Sequence, residues 1–317
     1  MSFCLAPYES MEEAVKRLIM EEIQQAVGES DNRKLKRSEA VHEVRKHCKK
    51  IRSVLRLART RFEKTYRFEN AWYRDTAKGL APIRDADALI ETYDDLLERF
   101  SEQIDRRAFR SARRELTARR KKIVGDAATL NKKLKKVRAR VIKGAERLEH
   151  RKLELDGFDV EEGLVLAYRK ARKAMAVAYD DPTAENFHEW RKQAKYHDYH
   201  MTLLAAAWEV VESAAKEADE LSDLLGDDHN LDVLYKTLLE SPKKYGKKRD
   251  IQVLLGLIDR RSAELRVEAR AIGARIFAEK PKAFGRRFRA YGEAWRAELD
   301  RPSKKFTTEP AVVTAAE

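Results

Sequence analysis

The sequence predicts an all-α fold. Only 12 Gly and 7 Pro interrupt 317 residues. Ala, Leu, Glu, Lys and Arg dominate, and these side chains lose little freedom in a helix. No run of period-two alternation is long enough for a strand. Helix ends are expected at Gly28, Gly79 to Pro82, Gly157, Asp180 to Pro182, Gly226 to Asp228, Ser241 to Gly246 and Pro281. These breakers cut the chain into about ten helices with short connections, as bundle folds require. Residues 303–317 lose the apolar period and are expected to form a flexible tail.

Composition removes several classes of protein. Hydrophobic residues make up 43% of the chain, enough to offset chain entropy, so wholesale disorder is excluded. No window approaches the roughly 18 uncharged apolar residues of a membrane span. Two cysteines, Cys4 and Cys48, make neither a disulfide scaffold nor a structural zinc site. Cys48 falls on an apolar helix face and reads as a small buried hydrophobe. The N-terminus lacks the basic region and apolar core of a signal peptide, so a cytoplasmic protein is expected.

Charge points to the partner. Lys and Arg total 67 against 54 Asp and Glu, a net +13, and that surplus favours anionic partners. The charge is segregated. Asp31 to Thr60 holds 11 basic and 3 acidic residues, Arg106 to Lys143 holds 16 and 2, and Ala207 to Ser241 reverses to 2 and 10. The Arg106 to Lys143 run reads first as a solvated face. It also has the charge to pack against the acidic segment, within one chain or between two.

An internal repeat organises the whole. His42-Glu43-Val44-Arg45-Lys46-His47-Cys48-Lys49 matches His188-Glu189-Trp190-Arg191-Lys192-Gln193-Ala194-Lys195 in the frame H-E-x-R-K-x-x-K, at an offset of 146. Leu80-x4-Asp85-x-Asp87-x-Leu89 matches Leu225-x4-Asn230-x-Asp232-x-Leu234 at an offset of 145. Two matches in the same order at nearly one offset indicate tandem duplication. One repeat spans about residues 1–150 and the other about 151–302, joined near Arg151 to Val160.

On a helix of about 100° per residue, His42, Arg45, Lys46, Lys49, Arg52 and Arg56 fall within roughly a 120° arc. Val41, Val44, Cys48, Ile51 and Leu55 fill a neighbouring arc that faces a core. The basic stripe runs roughly 21 Å along the axis. Like charges at i, i+4 cost a few tenths of a kcal/mol per pair, with Glu39 and Glu43 the only close acids. A duplicated stripe that accepts this cost points to an anion. Arg191, Lys192 and Lys195 continue the theme in the second repeat, with Arg169, Lys170, Arg172 and Lys173 on the preceding helix.

The H-x-x-R-K-x-x-K helix, the Tyr73-Arg74-Asp75…Ile83-Arg84-Asp85 segment and the Leu225-Gly226…Asn230-Leu231 segment resemble the CHAD domain, the conserved histidine α-helical domain. The resemblance covers about residues 5 to 302. It implies two helical bundles related by a pseudo-two-fold axis, with a basic groove or pore between them. It implies binding of inorganic polyphosphate without catalysis, and residence at polyphosphate granules. It implies phosphate contacts at His42, Arg45, Lys46, Lys49, Arg52 and Arg56. The second half adds His188, Arg191, Lys192 and Lys195, with Arg169 and Arg172 from the helix before, and Arg17 is a weaker candidate. Asp198 stands where many relatives carry Arg, which weakens the second half. Some relatives join this domain to a triphosphate tunnel enzyme, but no E-x-E-x-K signature occurs here.

Two other readings use the same residues. Nucleic-acid backbone binding shares the electrostatics, but base stacking needs aromatics among the cations. Trp190, Tyr196 and Tyr199 supply some, and the first stripe has none. A metal or enzyme site is the second alternative. His197 with His200, and His229 with Asp227, Asp228 and Asp232, read instead as structural positions, with the Asp residues as helix caps. No phosphate loop, nucleophile elbow or catalytic carboxylate pair occurs, so neither cofactor, metal nor catalysis is expected.

Overall fold

The computed structural model describes residues 3, 5, 9–32, 34–60, 62–153, 155, 160–205 and 207–299. Regular structure among them is entirely helical. The first half runs α1 (Met11–Asp31), α2 (Arg37–Leu57), α3 (Glu63–Lys78), α4 (Ala81–Arg99), α5 (Arg110–Val124) and α6 (Ala127–Glu149). The second runs α7 (Glu161–Asp180), α8 (Ala184–Ala205), α9 (Glu212–Glu240), the single turn α10 (Pro242–Tyr245), α11 (Lys248–Ile276) and α12 (Pro281–Leu299). Short 3₁₀ turns at Arg106–Phe109 and Glu209–Val211 lead into α5 and α9. No helix among the described residues is long and apolar enough to cross a membrane.

Most breakers act as expected. Gly79, Asp180 to Pro182, Ser241 to Gly246 and Pro281 all lie between or at the ends of helices. Two do not, and one was missed. Gly28 sits inside α1, which runs on to Asp31. Gly226 to Asp228 lie inside the 29-residue α9, and the helix does not stop there. Asp228 is buried and holds Arg266 of α11 at 3.0 Å, so it serves packing rather than a cap. The missed break is Gly125, whose φ of 70° ends α5 where a side chain would be strained. Gly157, Cys4 and the 303–317 tail lie outside the described residues.

Helix starts carry local signals. Ser10 and Glu13 close a reciprocal capping box on α1. The Asp126 side chain accepts from Thr129 N to begin α6. Buried charges between α1 and α2 are paired: Glu22 holds His47 at 2.5 Å and Lys50 at 3.0 Å.

The apolar interior forms two clusters, and neither follows the sequence halves. The larger joins α1, α2, α3, the start of α4 and α6 to α7, α8, α12, the N-terminal part of α9 and the C-terminal part of α11. The smaller joins α4 and α5 to α10, α11 and the remainder of α9. Helix α2 is central, packing on α1, α3, α4, α6, α7 and α8. The basic Arg106 to Lys143 run is compensated largely by α4, through Asp87, Asp94 and Glu98. The acidic α9 pairs mainly with Arg266 and Arg275 of α11, and among the described residues Arg119–Glu240 joins the two segments.

Gly163 fixes how α7 meets α2. A Cβ there would lie 1.8 Å from the Leu57 carbonyl oxygen and 2.8 Å from that of Arg56. The missing side chain lets α7 press against the last turn of the cationic helix. Gly163→Ala should therefore lower the thermal midpoint by the equivalent of about 1–3 kcal/mol, as overpacking does. Gly28→Ala, where a Cβ meets nothing within 4 Å, should be neutral or gain up to about 1 kcal/mol. Equal midpoints for the two variants would refute this account.

The buried histidines make a second prediction. Burial pushes His197 down to about 3 and His200 to about 4, so both are neutral in the fold. Released on unfolding they regain an ordinary value near 6.5, so below that pH the unfolded chain holds more protons. Their contribution is complete above pH 6.5 and is lost as pH falls toward 4. Thermal midpoints measured from pH 7.5 to 4.5 should drop through that window, and His200→Gln should flatten the drop.

Candidate anion-binding site

On α2 the two arcs separate as the sequence implies. Val41, Val44, Cys48, Ile51 and Leu55 are fully buried. His42 and Lys46 are exposed, while Arg45, Lys49, Arg52 and Arg56 are half-buried. Helix α8 packs against α2, and its Arg191 and Lys195 act on Lys49. The two motif helices thus bring like charges together.

Lys49 is the focus. Burial and repulsion from Arg191, Arg45, Lys195 and Arg84 push its ammonium down to about 7. Arg45 is anchored by donating Nη1 to the Ala77 carbonyl at 2.7 Å. Arg191 is half-buried, its Nε buried without an acceptor. Burial holds both guanidinium groups below their ordinary range. Gly226, without a side chain, leaves room beside that Nε, since a Cβ would stand 4.0 Å away. Asp85 and Asp227 face Arg191 from α4 and α9.

A second group follows along α2. Arg52 donates Nε to Asn70 Oδ1 at 3.1 Å, and Arg52 and Arg56 lie over the Tyr196 ring at 5.7 and 4.0 Å. Nε of Arg56 and Nη2 of Arg59 are buried without acceptors. The α7 cation that faces this group is Lys170, held below its ordinary value by burial and by Arg59 and Arg56. Arg172 does not join it. Its Nε donates to the Phe277 carbonyl at 2.9 Å, tying α7 to the end of α11. Arg169, three residues before Arg172 on α7, shares that face. Of the α7 cations, Lys170 is thus the one acted on by Arg56 and Arg59. Arg17 is held elsewhere, by Glu9 at 2.5 Å and Glu21 at 3.2 Å.

The two halves differ in counter-charge. Lys192 pairs with Glu189, and Lys195 lies 2.8 Å from the buried Asp198 and 3.9 Å from Asp219. Thr202 donates to Asp198 at 3.3 Å. In the first half Glu43 stands 3.7 Å from Lys46 and 3.9 Å from His42. Among the described residues, Lys49, Arg52 and Arg56 have no carboxylate ion pair. Asp198 thus acts by occupying Lys195.

The motif histidines stand differently from the buried ones. Burial, with Arg84 next, lowers His42, and burial with Arg191 and Lys192 lowers His188. His188 Nδ1 lies 3.1 Å from His229 Nδ1, and burial pushes His229 down to about 3. His229 lies against His188, and Arg84, paired with Glu91 at 2.7 Å, acts on His42 and Lys49, so both join the candidate cluster although neither is among the contacts that the sequence implies. The available signal was their separation of 145, the offset of the second repeat match. His197 and His200 are core residues: His200 Nε2 donates to the Ser53 carbonyl at 3.0 Å, and His197 packs edge-on against Tyr168. Among the described residues no three His, Cys, Asp or Glu side chains are grouped to hold a metal.

Aromatic rings are withheld from this surface. Trp190 and Tyr199 are buried, and Tyr196 is covered by two guanidinium groups. What remains is a helical protein presenting clustered cations and few rings. The chain matches the CHAD domain family model over residues 17–239 and belongs to that family. A similar solved structure is the crystal structure of the CHAD domain from the plant Ricinus communis. It shares 16% identity at a TM-score of 0.56, over 89% of this chain and 95% of that one, a likeness of fold. No curated protein matches the chain.

The cluster should cost stability when empty. Replacing Lys49 by Met keeps the aliphatic stem and removes the crowded charge. At pH 7 the ligand-free variant should melt about 3 °C or more above the wild type. A lower midpoint would show that Lys49 is not held against repulsion.

Proposed function

We propose that this chain binds inorganic polyphosphate and does not catalyse its conversion. The contacts run along His42, Arg45, Lys46, Lys49, Arg52 and Arg56, with Lys170 of α7 and His188, Arg191, Lys192 and Lys195 of α8. The observation that carries the reading is the convergence of Lys49, Arg45, Arg84 and Arg191, four cations that share the facing carboxylate of Asp85 without an ion pair to Lys49 among the described residues. Buried N–H groups on Arg56, Arg59 and Arg191 without acceptors add to it. Phosphate oxygens would satisfy those donors and relieve the repulsion together.

The same proposal takes the chain as a tandem duplication around a basic groove. In support, α1 packs on α2 as α7 packs on α8, and α1 on α6 as α7 on α12. Arg84 acts on His42 as His229 lies on His188. A repeating chain of phosphates suits such a duplicated stripe because it offers charge continuously and without bases. Nucleic acid is the second reading, and the covered or buried rings disfavour it. Residence at polyphosphate granules in the cytoplasm would follow from tight binding.

Binding to long-chain polyphosphate and to single- and double-stranded DNA should be compared at matched phosphate and about 150 mM salt, where exposed charges are screened beyond roughly 8 Å. Polyphosphate should bind more tightly, and a folded Lys46→Glu, Lys192→Glu variant should lose it. Arg56→Gln should also lower the slope of log K against log salt by about 0.7. Equal affinity for DNA that ignores the variant would refute the site.

The pH dependence has a definite sign. With Lys49 at about 7 in the free protein, a bound polyanion raises its proton affinity, so binding takes up a proton above pH 7. Affinity should fall about ten-fold from pH 6 to pH 8. Lys49→Arg, charged throughout that range, should bind with little pH dependence. A flat wild-type profile would remove Lys49 from the site.

A further inference from the structure

Lys49 differs chemically from the other lysines of the cluster. Lys46 lies near Glu43, Lys50 near Glu22, Lys192 near Glu189 and Lys195 near Asp198. Each of those ammonium groups has a carboxylate beside it. The charges acting on Lys49 are Arg45 on its own helix, Arg84 from α4, and Arg191 and Lys195 from α8. Asp85 of α4 and His229 of α9 also face it. Of the other helices on α2, α1 uses Glu22 for His47 and Lys50, α3 offers Asn70 to Arg52, and α7 places Lys170 toward Arg56. Among the described residues Asp85 makes no ion pair with Lys49, so the amine stands among cations with no carboxylate in contact, and Arg191 beside it keeps a buried Nε without an acceptor. Such an amine has two properties. It loses its proton readily, and its neighbours attract anions.

We propose that Lys49 is an acylation site for donors that carry a phosphate, namely acyl phosphates, which dock on Arg45 and Arg191 and pass their acyl group to the Lys49 amine. The Lys49 Nζ lone pair attacks the carbonyl carbon, and the bond from that carbon to the phosphate oxygen breaks. The departing phosphate takes the proton that nitrogen sheds, giving an amide and hydrogen phosphate. No oxidant or second reactant is needed. The value of about 7 that burial and repulsion give the amine leaves a large neutral fraction near pH 7.5. Acylation would erase the central positive charge of the stripe. The inference requires the cluster to receive phosphate; only its consequence for polyphosphate rests on the proposed function.

The test uses the full chain with acetyl phosphate at pH 7.5, with acetylation followed at each lysine by peptide mass spectrometry. A neutral donor, N-acetoxysuccinimide, is run in parallel. Lys49 should acetylate about ten-fold or more faster than Lys46 with acetyl phosphate, because Lys46 stands beside Glu43 whereas Lys49 stands among cations. Its rate should level off above pH 8. Arg191→Gln should slow acetyl phosphate more than the neutral donor, which separates docking from nucleophilicity. The proposal is overturned if Lys49 stays unmodified or reacts no faster than Lys46, or if Arg191→Gln slows both donors alike. A chain that binds polyphosphate yet leaves Lys49 unmodified refutes this inference alone. A chain acetylated at Lys49 that ignores polyphosphate refutes the proposed function alone.

Discussion

The structure depends on holding two cationic helices side by side. Lys49 carries the clearest mark of the cost, because its shift from 10.5 to about 7 corresponds to about 5 kcal/mol between charged and neutral forms. Opposing it is the other side of the same helix. Val41, Val44, Cys48, Ile51 and Leu55 are fully buried, and at roughly 1.5–3 kcal/mol for a large apolar side chain their sum is on the order of 10 kcal/mol. Apolar burial therefore wins, and the charges are carried where packing places them. The amphipathic phase of α2 thus sets both the core and the site.

Once α2 is fixed, its neighbours determine which cations meet. Gly163 lets α7 close onto the end of α2, so Lys170 rather than Arg172 faces Arg56. Gly226 leaves space beside Arg191 in the middle of α9. Arg52 and Arg56 are steadied by the Tyr196 ring rather than by carboxylates, which holds their direction without neutralising them. Positioned this way, the guanidinium groups need little reordering on meeting an anion.

The helical class, the stripe on α2 and its buried partner arc were legible because periodicity and residue type report them directly. Tertiary choices were not. Arg172 and Lys170 look equivalent on α7, and only the Phe277 carbonyl on one side and Arg56 on the other separates them. Asp228 resembles a cap until Arg266, 38 residues away, is brought beside it. Gly125 escaped notice because flanking helix formers hide a single positive-φ residue. His229 was discounted because its neighbours in sequence are acidic, whereas its neighbours in space are His188, Arg191 and Lys49.

The halves repeat a motif but not its charge balance, and the difference has a physical consequence. In α8 the lysines spend part of their charge on Glu189, Asp198 and Asp219. In α2 the inner cations keep theirs. Positive charge is therefore least compensated at Lys49, Arg52 and Arg56, with Arg191 acting on Lys49 from the other half. An anion seated there would reverse the cost of the assembly, because the repulsion that depresses Lys49 becomes attraction shared by every neighbouring cation.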